Sequence, residues 1–108
     1  MKYYKANEVI SPKEFIDIVE ILEYGDENSY ALAIIDWEGE HQLGIRWNIA
    51  RREWDDKQKK DEEKVCVGMP SSRGYPVWFI IPNSFINHFI HNDNEELIKK
   101  ITQFIHID

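Results

Sequence analysis

Two alternating segments joined by a tight turn constrain this chain more than any other feature. "SYALAIIDW" (29–37) and "HQLGIRWN" (41–48) flank "EGE", and apolar runs of strand length around a Gly-containing turn signal a β-hairpin. With Glu38-Gly39 as a two-residue turn, opposed residues carry numbers that sum to 77. Side chains of a strand alternate between faces, so this register sorts them into two groups. Tyr30, Leu32 and Ile34 fall opposite Trp47, Ile45 and Leu43, a core face. Ala31, Ala33 and Ile35 fall opposite Arg46, Gly44 and Gln42. The second face is small at its middle, which leaves room for a close approach by a helix or by a ligand.

The rest of the chain is read around that hairpin. Ser11-Pro12-Lys13-Glu14 has the form of a capping box with Pro at the first helical position. Phe15, Ile18, Val19 and Leu22 keep a helical spacing, yet Ile16, Ile18, Val19 and Ile21 are β-branched and "GDEN" follows as a turn. The expectation is one helical turn near 11–15 leading into a strand at 17–24. "KVCVGM" (64–69) is read as a short strand and "PVWFII" (76–81) as a strand apolar on both faces, hence central and covered. "SFINHFIH" places Phe85, Ile86, Phe89 and Ile90 along one side of a helix, and Asp93-Asn94-Glu95-Glu96 caps another with the stripe Leu97, Ile98, Ile101, Phe104, Ile105. The predicted fold is a single α+β domain over 1–108. It has an antiparallel sheet of strands 17–24, 29–37, 41–48, 64–69 and 76–81, covered on one face by C-terminal helices at 83–91 and 94–106.

Charge placement says more than net charge, which is −7. Asp17, Glu20, Glu23, Asp26, Glu27, Asp36, Glu38 and Glu40 put eight acids and no Lys or Arg into residues 17–40. Such a surface repels phosphate backbones, so nucleic-acid binding is not expected. It serves solubility or offers an acidic face to a basic partner. Residues 51–64, "RREWDDKQKKDEEK", balance six bases against six acids and read as a solvated excursion that Trp54 pins to the body. No apolar run is long enough to span a bilayer, the first residues lack a signal-peptide core, and the one cysteine, Cys66, has no disulfide partner. A reducing, cytoplasmic setting is the expectation.

No catalytic or cofactor fingerprint is present, and neither a cofactor nor a metal is expected. Cys66 sits in an apolar "VCV" and reads as an inert thiol. His88 and His91 are three apart, with His106 on the next helix, but a metal site wants a third ligand that the sequence does not supply. Asp36 and His41 face each other beside the turn, as a local ion pair or, less simply, a catalytic dyad. The candidate binding residues are Arg46 and Asn48 in "GIRWN", Trp54, and Ser71, Ser72 and Arg73 in the loop before Gly74. Arg46 on the small-residue face can be a structural ion pair or a grip for an anion or peptide. Ser71-Ser72-Arg73-Gly74 can be a site on a rigid scaffold or only the turn its strand needs.

"LGIRWN" followed by "GMPSSRGYPVWFIIP" resembles a pattern in small bacterial proteins of mobile-element or gene-cassette type. The resemblance spans roughly residues 28–86, centres on Arg46-Trp47-Asn48 and Trp78-Phe79-Ile80-Ile81-Pro82, and brings no reaction, cofactor or partner with it. The functional expectation is a non-enzymatic protein-interaction module, antitoxin- or immunity-like, that meets a protein partner or its own copy. The alternative is a small anionic-ligand or enzymatic site on the sheet using Arg46 and Arg73.

Overall fold

A computed structural model describes residues 1–89 and 95–106 of the chain, without the side chains of Asn87 and Phe89. The hairpin forms as its pattern requires. β1 (Ile16–Glu23), β2 (Tyr30–Trp37) and β3 (Glu40–Trp47) make an antiparallel meander. The β2–β3 pairs run from Tyr30↔Trp47 to Trp37↔Glu40, each summing to 77, with Glu38-Gly39 as the turn. Downstream come a 3-10 segment, Arg51–Asp55, a single turn α1 (Lys57–Lys60), and the two-residue strands β4 (Ser71–Ser72) and β5 (Tyr75–Pro76). β6 (Phe79–Ile81), α2 (Asn83–Phe89) and α3 (Glu95–Phe104) complete the fold. The main sheet has the order β1-β2-β3-β6, and β4 and β5 form a separate ribbon. The domain is α+β, with an antiparallel sheet and C-terminal helices.

Both faces of the sheet are covered, by different means. Leu32, Ile34, Leu43 and Ile81 pack with Ile86 of α2 and with Ile101 and Ile105 at the end of the chain, α3 turning its apolar stripe inward. On the opposite face Ala31, Ala33 and Ile35 pack against Ile16, Trp78, Ala6 and Val9. The small residues there receive the Trp78 indole and a single turn of 3-10 helix (Ala6–Glu8). A Cβ added at Gly44 would lie 3.1 Å from the Trp78 ring and 3.0 Å from Ile35. Trp78 Nε1 donates to Val9 O at 2.8 Å, which fixes the ring over the glycine.

Two expected strands are corrected. Residues 64–69 do not form a strand. They touch neighbouring chain only through single bridges, Tyr3↔Cys66 and Trp47↔Met69. Val67 N, Val67 O and Gly68 N bond to side chains instead, and Lys64 N donates to Gln58 O. "PVWFII" is not a central strand. Only Phe79–Ile81 joins the main sheet, on β3 at its edge, while Pro76 pairs in the separate ribbon, and Phe79 is 60% exposed. The run's apolar residues serve two faces, Trp78 packing with the N-terminal segment and Ile81 with the C-terminal helices. The capping-box segment does close one turn, with Phe15 N and Ile16 N donating to Pro12 O, before β1 begins at Ile16. Residues 90, 91, 93 and 94 of the expected helix ends, Ile90 and His91 included, lie outside the described residues.

β1 is the other edge of the sheet. Its register against β2 shifts twice, between Ile18 and Glu20 and between Ile21 and Glu23. Bulges and charged side chains are the usual ways to stop an edge strand from pairing with a second chain. Asp17 and Glu23 stand exposed on it. Part of the acidic run therefore guards an edge.

Candidate functional site

The sequence candidates separate into three places. The first is a buried polar clamp below the sheet's end. Arg46 is 1% exposed. Its Nη1 donates to Val77 O at 2.6 Å and Pro70 O at 3.3 Å, and its Nη2 to Val67 O and to Trp47 O at 3.4 Å. Glu53, equally buried, works the same segment from the other side. Its carboxylate accepts from Val67 N at 2.9 Å, Gly68 N at 2.8 Å, Ala50 N at 2.8 Å and Lys59 Nζ at 2.5 Å. A base therefore takes the carbonyl and an acid takes the amide of one short stretch, and that stretch cannot join a ladder. This is why 64–69 is not a strand. Gly68 has φ +70, and an added Cβ would collide with Trp47 O and the Arg46 guanidinium.

Electrostatics keep both groups charged at neutral pH. Burial pushes the Arg46 guanidinium down to about 10, and the Glu53 charge opposes the shift. Burial pushes the Glu53 carboxyl up, but Lys59 and the amides of Ala50, Val67 and Gly68 outweigh it, so the net shift is downward. Asn48 is also buried and bridges its Nδ2 to Tyr24 O and Asp26 O, both at 3.0 Å. It ties the β1–β2 turn to the end of β3. The Arg46 Nη atoms and Asn48 Nδ2 thus go to backbone carbonyls, while Arg46 Nε and Asn48 Oδ1 are buried without a partner among the described residues. Glu53 was invisible in the sequence because it lies in a run of charges; its one signal is a position three residues after Ala50, where a helical turn's third residue bonds back to the first amide.

The second place is open. Tyr30 and Trp47 sit on the expected core face, but the buried cluster that the helices join ends at Leu32 and the half-buried Ile45. Trp47 is 51% exposed, with its ring edge-on to Tyr30 at 6.0 Å. Met69, bridged to Trp47, and Phe79, paired with the half-buried Ile45, extend the same face, and both are exposed. Beside this surface lies a cavity of about 340 Å³ lined by Trp47, Trp54, Ile49, Ala50 and Met69, with Glu27, Asn28 and Arg51 completing its wall. Trp54, half-buried, forms one wall of this slot.

The third place is the β4–β5 ribbon. Ser71 pairs with Pro76 and Ser72 with Tyr75, which leaves Arg73-Gly74 as a two-residue turn. Both turn residues have positive φ, +53 and +82, as such hairpins require. Pro70 O and Val77 O, held by Arg46, lie at the ribbon's open end, and Arg73 lies at its closed end. The two arginines stand at opposite ends of one hairpin.

The remaining candidates make local contacts. Asp36 accepts from Gly39 N at 2.8 Å and stabilises the turn, while His41 Nδ1 donates to Phe104 O at 3.2 Å. They face each other in register but form neither an ion pair nor a dyad. His88 and His106 are exposed, and His91 lies outside the described residues. Among the described residues no three His, Cys, Asp or Glu side chains group as a metal site needs. Cys66 is fully buried, and burial, then the nearby Glu53 charge, push its thiol up. The expected result with a thiol reagent such as Ellman's is no reaction in the folded protein and one thiol after denaturation. Prompt stoichiometric reaction of the native chain would show that the segment opens.

Fold and site together define a small α+β protein with a rigidly braced, aromatic sheet end. Comparison with known proteins finds no matching family model, no similar curated protein and no similar solved structure. None of the described helices is long and apolar enough to cross a membrane.

Proposed function

We propose that this chain is a protein-interaction module that docks a basic partner on the open end of its sheet. The observation that carries the reading is the exposed row Tyr30, Trp47 and Met69 beside the Trp54 slot. Aromatic and methionine side chains are the residues enriched at recognition surfaces, and single isolated ones need no explanation whereas a contiguous set does. The sign of the partner follows from the border. Asp26 and Glu27 lie in the turn that leads into Tyr30, in the middle of a segment with eight acids and no Lys or Arg. Two copies of a chain with net charge −7 repel each other, so a basic protein is the better occupant. Neutralising a toxin-like protein in a reducing, cytoplasmic setting is one form such a role takes.

The test is capture on immobilised chain from a lysate of its own organism at low salt, with the wild type beside Trp47→Ser and an edge-strand control, Val19→Ser. The expected outcome is a retained basic protein that elutes as salt rises, is lost with Trp47→Ser and is kept with Val19→Ser. Trp47 is half in solvent, so its replacement leaves the melting temperature within a few degrees. Equal retention by Trp47→Ser and wild type would remove the aromatic surface from the reading.

A further inference from the structure

We propose that the cleft between the β4–β5 ribbon and Ser11-Pro12 binds a phosphoryl group, gripped by Arg73 and by the hydroxyls of Ser11, Ser72 and Tyr75. The cleft measures about 380 Å³ and is lined by those four residues with Pro12 and Val77. Ser72 and Tyr75 are directly opposed, so both side chains leave the ribbon on the same side. No carboxylate lines the cleft, in a chain that carries 20 acids. Among the described residues none of the four side chains has a hydrogen-bond or ion-pair partner in the protein. The site therefore presents a guanidinium fork and three free O–H groups and nothing to repel an anion. A phosphoryl group, an acceptor with three equivalent oxygens, matches that set more fully than a carboxylate with two.

The ribbon is also built to hold its tip still. Arg46 clamps Pro70 O and Val77 O at the open end, so the turn projects from a fixed base. Arg73 stands at φ +53, where Asn, Asp or Gly is the usual residue. Glu38 occupies the equivalent position in the β2–β3 turn with φ 51, so the turn itself assigns nothing. The free donors around Arg73 assign the ligand, and the turn supplies the means of testing it. Asn suits the position better than Arg, so Arg73→Asn removes the guanidinium without cost to the hairpin.

The experiment is a titration of the ¹⁵N-labelled full chain with inorganic phosphate at constant ionic strength, with acetate and chloride as comparators. Phosphate is expected to give saturable shifts at Ser11, Ser72, Arg73, Gly74 and Tyr75 that acetate and chloride do not reproduce. Arg73→Asn is expected to weaken binding by about tenfold or more while melting at the same or a higher temperature. Ser72→Ala is expected to cause a smaller, few-fold loss. Shifts that never saturate, phosphate affinity unchanged in Arg73→Asn, or acetate binding as well as phosphate would each overturn the assignment. The outcome is independent of whether a basic protein docks at Trp47.

Discussion

Arg46→Met is expected to destabilise the protein by about 3–5 kcal/mol, the range typical of removing one partner from a buried charged network. Methionine fills much of the same volume, so the loss comes from hydrogen bonding more than from a cavity. Val67 O and Val77 O lose their donor, while Trp47 O and Pro70 O lose one of two and keep the amides of Met69 and Val77. A buried acceptor left unmet costs roughly 1–3 kcal/mol, and water that enters recovers part of this. Glu53 also loses the cation that faces it. Against a usual domain stability of about 5–15 kcal/mol, the variant sits near the edge of folding. Urea denaturation followed by circular dichroism measures it, with the midpoint falling and the slope unchanged. Arg46→Lys keeps the charge but not the fork and is expected to lose about 2 kcal/mol. A Met variant within about 1 kcal/mol of wild type would show that Val67 O and Val77 O find other partners, and the guanidinium would then be free for another role.

That prediction bears on what the sequence could say. The β2–β3 register was legible because a period of two and a glycine turn leave one pairing that separates the two faces. α3 was legible from its stripe, whereas of the stripe expected for α2 Ile86 is buried and Phe85 is exposed. The fate of 64–69 was not, because "KVCVGM" has the composition of a strand and is prevented from being one by side chains 21 and 14 residues away, Arg46 to Val67 and Glu53 to Val67. Nothing local in a sequence records that its amide and carbonyl are already spoken for. "PVWFII" misled for a related reason. An apolar run reads as central when it is covered on both faces, but here the covers are the N-terminal segment and the helices, and the strand itself is an edge.

The candidate site divides in the same way. Trp54 was legible as the single aromatic of a charged excursion, and it does reach the body of the protein. Trp47 was assigned to the core by alternation, correctly as to face, yet it is exposed because coverage by the helices fails before the end of β3. How far a helix extends over a sheet depends on packing that alternation does not encode. Arg46 and Asn48 carry the same ambiguity in sequence, since a polar residue on a strand end can serve a ligand or a backbone. Both serve the backbone here, through the Nη atoms of Arg46 and Nδ2 of Asn48, and the exposed donors are those of Arg73 and its neighbours.

Glu53→Gln is expected to cost about 2–4 kcal/mol at neutral pH, with a pH dependence that identifies the ionised carboxylate as the active species. Glutamine keeps one acceptor oxygen but turns the other into an amide donor. That donor confronts Val67 N or Gly68 N where a carboxylate oxygen accepted. Lys59 Nζ, which lies 2.5 Å from Oε2, loses its counter-charge as well. The folded-state pKa of Glu53 lies below its ordinary value: burial raises it, and Lys59 with three amides lowers it by more. A carboxyl whose pKa is depressed on folding contributes stability above its unfolded value, and that contribution is lost as pH falls through the folded one. The difference between wild type and Glu53→Gln should therefore be constant from neutral pH to about 5 and shrink progressively below about 4. Other carboxyls titrate in both proteins and cancel in the difference. Denaturation curves for the pair across that range measure it directly. A difference that stays flat into strong acid would mean that the shape of the side chain, and not its charge, holds Val67 and Gly68 in place. The clamp would then be a packing feature, and the short stretch between Cys66 and Pro70 would owe its irregular course to Arg46 alone.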